Sequence, residues 1–321
     1  MFMSHLKTLL LTGLTALTSF SLNAEPWFEE PAPDNFYFGG GYRRDDFKYG
    51  FQGVNGTPDT LANFKWKQLQ SYQVNAEYNH TTWNEWYWRV SGMYGNIVSG
   101  NNHHQEYALD NKQGEYSSTH SNGDRGQVWD IGGAFGHVWV SDSGRFAFAP
   151  LAGYSFHEQR YHILGGDQEF NPLEGIVGRI PDLRGRNVAE WSSPFLGVDM
   201  VARIQCNVTL RAGFEWHFVR YQGQGYWRMD DTFDIHWRDK AFGYGATGFF
   251  GFDCELCDGW SIGMYGNYRH FYTRQGKHDV SVKVDTVPGQ IFGTIPTVDD
   301  VHLNRVTWNT YSISASAAYR F

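Results

Sequence analysis

The end of the chain constrains its fold most. From Tyr311 to Phe321 the residues alternate strictly, with Tyr311, Ile313, Ala315, Ala317, Tyr319 and Phe321 on one face and Ser312, Ser314, Ser316, Ala318 and Arg320 on the other. In a strand this pattern sets an apolar face against a polar one. A chain that stops on an aromatic of the apolar face reads as the closing strand of an outer-membrane barrel, with lipid outside and a polar interior.

The beginning agrees. Residues 1–24 carry Lys7, an apolar run from Leu9 to Leu22 and a small residue, Ala24, before Glu25-Pro26, the layout of a secretory signal. A membrane helix needs about 20 apolar residues, and no later stretch reaches half of that. Lipid leaves no backbone edge unpaired, so a membrane-embedded chain of this kind must close a sheet on itself. Aromatic content of 17% and 37 glycines go with a negative mean hydropathy, as expected when each strand shows one face to lipid. The net charge of −8 excludes a nucleic-acid partner. The expected organisation is a signal at 1–24 and a single domain at 25–321.

Walking the period of two along the chain predicts ten strands: about Asn35–Lys48, Lys65–Asn79, Glu85–Val98, Gly126–Val140, Arg145–Tyr161, Ser193–Ile204, Val208–Tyr221, Ala241–Phe252, Trp260–Thr273 and Arg305–Phe321. The fold class is therefore all-β, a transmembrane antiparallel up-and-down barrel. Short and long connections alternate as in bacterial barrels, with both termini periplasmic and loops near 49–64, 99–125, 162–189, 222–240 and 274–304 outside. Ten strands enclose a narrow lumen. Its expected lining includes Glu77, Asp199, Arg203, Arg211, Glu215 and His217, a hydrogen-bonded plug or a thin wet path.

Chemistry concentrates on the outer loops. Asp234 and His236 form an Asp-x-His motif whose side chains share a face in an extended segment, so the carboxylate can orient the imidazole as a base. With this placement, the chain resembles the omptin family of outer-membrane proteases, in which such a pair faces an Asp-x-Asp pair across the barrel mouth. Phe64-Lys-Trp-Lys67, Pro150-Leu-Ala-Gly-Tyr154 and the final strand extend the resemblance. Laid on the family's Asp-Gln-Asp-Trp pattern, His104 and Glu106 take the aspartate positions and Tyr107 the tryptophan. The resemblance implies catalysis by Asp234, His236, Glu106 and His104. Two close carboxylates share a proton and hold a water; His104 in place of one breaks that arrangement. The expected function is a non-catalytic outer-membrane barrel, a narrow porin-like channel or surface protein, with an omptin-like endopeptidase as the alternative.

No cofactor or metal is expected. His103, His104 and His236 with Glu106 and Asp234 lack the tight His-x3-His spacing of a zinc site. Cys254 and Cys257 share one periplasmic turn in an oxidising compartment, where a local disulfide is expected. Cys206 is left to link another envelope protein, and the size and cysteines together are similar to the small porins of chlamydia-like symbionts. The outer membrane of a Gram-negative-type bacterium is the implied location, with its lipid and lipopolysaccharide as partners.

Overall fold

In the computed structural model the described residues are 34–170, 177–205, 207–228, 233–256, 258–284 and 301–321. The expected signal at 1–24, Cys206 and Cys257 lie outside them. The strands are β1 (Asn35–Phe51), β2 (Ala62–Thr81), β3 (Trp86–Leu109), β4 (Gln113–Asn122), β5 (Arg125–His137), β6 (Trp139–Val140), β7 (Phe146–Phe170), β8 (Gly178–Gln205), β9 (Val208–Arg228), β10 (Phe233–Glu255), β11 (Trp260–Thr273), β12 (Gly276–Val284), β13 (His302–Leu303) and β14 (Thr307–Arg320). Antiparallel pairing runs β1-β2-β3-β5-β7-β8-β9-β10-β11-β14 and returns to β1, a closed ring of ten staves. The closing seam pairs Asn35 with Arg320 and continues to Lys48 with Thr307. On the outer side β4 continues the stave of β5 between β3 and β7, and β12 continues that of β11 along β10.

All ten predicted strands are present, but the predicted outer loops require correction. Segments 99–125, 162–189 and 222–240 are largely strand, and β8 alone runs 28 residues, where a membrane needs about 9–11. The surplus is a collar standing above the lipid. Its origin is an inversion of pattern along each stave. In β9 the exposed face reads Phe214, Trp216, Phe218 at lipid level, then Arg220, Gln222 and Gln224 above. The opposite face reads Arg211, Glu215, His217 below, then Val219, Tyr221 and Trp227 above, all buried or partly buried. The barrel is inside-out where it meets lipid and right-side-out where it meets water.

The buried apolar core therefore sits in the collar. Phe47, Trp66, Tyr161, Trp191, Tyr221, Phe271 and Trp308 pack together as one aromatic layer inside the barrel. Trp191 is wholly buried, packs on Tyr221 at 4.7 Å and Trp308 at 5.7 Å, and donates its indole N–H to Gln159 Oε1 at 2.9 Å.

Candidate functional site

Two places collect the chemically competent side chains: the lumen at lipid level and the collar. In the lumen, inward positions of seven staves meet. Arg89 on β3 bridges Asp199 on β8 at 2.8 Å and Glu215 on β9. Glu215 reaches His217 Nε2 at 3.0 Å, and His217 Nδ1 meets Ser193 Oγ at 3.1 Å. Arg211 donates to Glu77 at 2.6 Å and lies 4.2 Å over the Tyr37 ring. Nearer the collar, Asp130 receives Arg43 and Arg269, each at 3.0 Å. Arg43 also holds Asp45, which accepts the Trp308 indole N–H at 2.8 Å and so ties the charges to the aromatic layer.

Glu77, Asp199, Arg211 and Glu215 thus join ion pairs across the barrel, and His217 bonds to Glu215 on its own strand and to Ser193 on the neighbouring one; Arg203 stands at the periplasmic end, its Nε 3.4 Å from the Gln205 carbonyl. Burying charges is tolerable only when each is paired and bonded. Small cavities remain: about 210 Å³ around Glu77, Arg89, Asp130 and Arg211, and about 140 Å³ toward the periplasm beside Tyr87, Asp199 and Asp253.

On the collar the predicted catalytic residues divide between two faces. β10 runs without a bulge against β9, and its even-numbered Phe242, Phe250 and Phe252 are exposed toward lipid, so Asp234 and His236 also face outward. Arg228 grips the Asp234 carboxylate with bonds of 2.6 and 2.8 Å, and His236 Nε2 is 4.0 Å from it, beyond hydrogen-bond reach. His104 and Glu106 face inward. His104 stacks on Phe64 at 4.0 Å and lies against Trp227 at 4.9 Å, with its Nε2 3.7 Å from Glu106. Burial lowers the His104 pKa, against the opposing pull of Glu106. The wall of the barrel stands between the two pairs. Cys254 is half-buried at the end of β10; its expected partner Cys257 is outside the described residues.

Two clusters escape the sequence reading. Asp239 and His278 form a buried pair inside the collar, Oδ1 to Nδ1 2.5 Å, with His278 stacked 4.1 Å from Phe51. Burial raises the Asp239 pKa, with His278 opposing. Asp239 continues the inward alternation of Ile235 and Trp237, but both it and His278 lie in stretches read as loop, so nothing in sequence joined them. The second, His103, His120 and Glu169 on the outer face of β3, β4 and β7, brings donor atoms within 4.8 Å of one another.

A closed ten-stave barrel with an aromatic outer face and a paired polar lumen is an integral protein of the bacterial outer membrane. Among solved structures, the outer membrane protease OmpT from Escherichia coli matches with a TM-score of 0.73 at 13% identity, covering 94% of this chain and 99% of that one. The translocator domain of the autotransporter NalP from Neisseria meningitidis (TM-score 0.35, 10% identity, 99% and 96% covered) and OprG from Pseudomonas aeruginosa (0.31, 10%, 90% and 96%) are more distant. The omptin likeness is thus one of fold. No curated protein matches. Within the class, the chain belongs to the Protochlamydia outer membrane protein family, Pom, which matches residues 37–321.

Proposed function

We propose that this chain is a non-catalytic surface protein of the outer membrane, a rigid barrel that displays its collar to the exterior. One observation carries the reading: Asp234 and His236 point outward while His104 and Glu106 point inward. A general base works within about 2.6–3.2 Å of its proton, directly or through one water, and two groups on opposite sides of a sheet cannot share that water. Arg228 further occupies the carboxylate that would orient His236. Peptide cleavage by the purified protein is the test. No cleavage of basic or apolar peptides is expected, and turnover abolished by His236→Ala would return the protease reading.

A narrow channel is the second reading, favoured by the two cavities, lined in part by charged side chains, below the aromatic layer. In planar bilayers the unmodified protein is expected to pass no steady current, whereas a small discrete conductance altered by Arg211→Ala would establish the channel. Outer-membrane lipid on the aromatic face, lipopolysaccharide at the outward Arg186, Arg238 and Lys277, and an envelope protein through Cys206 complete the proposed partners.

A further inference from the structure

We propose that His103, His120 and Glu169 form a binding site for a divalent zinc-like cation on the outer face of the collar. The sheet register makes the site. Lys65, His103, His120 and Asp167 stand opposite one another on β2, β3, β4 and β7, a single row crossing four staves. Thr119 and Gln168, one position along, bond to each other inside the barrel, so the row points out. The two imidazoles stack at 3.9 Å and 21°, an unusual use of two adjacent outward positions.

Glu169 brings an oxygen 3.3 Å from His120 Nε2. Ligands about 2.0–2.2 Å from a tetrahedral zinc sit roughly 3.3 Å apart, so this pair already has the required separation. His103 Nε2 lies 3.1 Å from Ser118 Oγ. If that nitrogen donates to the hydroxyl, Nδ1 remains to ligate, and Ser118 plays the outer partner that fixes a ligating histidine. Asp167, on the same face, is a further carboxylate beside His120. Lys65, the cation nearest in the row, is engaged by Gln105 Oε1 at 2.7 Å. Three protein donors with imidazole and carboxylate character suit zinc, with water completing the shell.

The test is a titration of the detergent-folded, metal-free protein with Zn²⁺ by calorimetry, repeated with Co²⁺ for its ligand-field absorption. One saturable site per chain is expected. Outer partners of a metal ligand alone are worth about 10–100-fold in affinity, so His103→Ala, His120→Ala and Glu169→Gln should each weaken binding at least about tenfold. His104→Ala, inward on the same strand, should leave it unchanged. Heat-dependent gel mobility confirms that every variant still forms the barrel. Absence of saturable binding, or binding that survives in the double variant His103→Ala/His120→Ala, would overturn the site.

Discussion

The lumen at lipid level and the lumen of the collar are walled by the same ten strands and filled in opposite ways. Below, charges and hydroxyls are joined pairwise across the barrel, and the apolar side chains face out; above, tryptophans and tyrosines fill the centre, and lysines, arginines and histidines face out. The environment outside the wall decides which: a strand can spend its apolar face only once, on lipid or on a core. The difference also teaches where stability resides. Packing in the collar rests on burial of apolar area, roughly 25 cal/mol per Å². The network below largely offsets desolvation.

The comparison breaks most readily at its largest expected effect. Trp191→Ala should destabilise the folded barrel by about 3–5 kcal/mol, read as a lower urea midpoint for loss of the fast-migrating folded form on gels. Asp130→Asn keeps the shape but leaves Arg43 and Arg269 without a shared anion, at a cost of about 1.5–3 kcal/mol. A larger loss for Asp130→Asn than for Trp191→Ala would reverse the assignment of the collar as the principal source of stability. His236→Ala, on the outward face beside Tyr226, should change the midpoint by less than about 0.5 kcal/mol.

The smallest effect is a pH dependence. The folded pKa of His104 is depressed by burial, so between its unfolded value near 6.5 and the lower folded value the unfolded chain binds more protons. The contribution is present above pH 6.5 and is lost as pH falls toward the folded value. His104→Gln should flatten the decline of the urea midpoint as pH falls below about 6.5. An unchanged slope would assign the acid sensitivity to another group.

The lipid-level half of every stave was legible because one alternation held from end to end, as in Leu196 to Ile204 and Tyr311 to Phe321. The collar was not, because above Phe218 and Phe242 the apolar residues change face and the outer one turns polar, which reads as loop. The rim site shows how little separates right from wrong. Parity carried up β10 from Phe242 already turns His236 outward. On β3, Val98 and Ser99 both lie on the exposed side where pairing with β2 slips at Gln70/Ser71, and Gly100 follows at φ +159. That bulge carries His104 and Glu106 to the inside. A single extra residue inverts every side chain beyond it, and an alternation count alone does not reveal where the extra residue falls.

The seam between β1 and β14 joins the first and last strands of the ring, Asn35 beside Arg320, over fourteen paired positions. Every other junction around the ring is made between neighbours in sequence. The loop entropy of such a contact must be met before any of its hydrogen bonds form. The nine hairpin junctions can therefore zip locally while the two terminal strands remain open edges. The seam is therefore the contact with the highest loop-entropy cost in the barrel, and unpaired its two strands are adhesive margins.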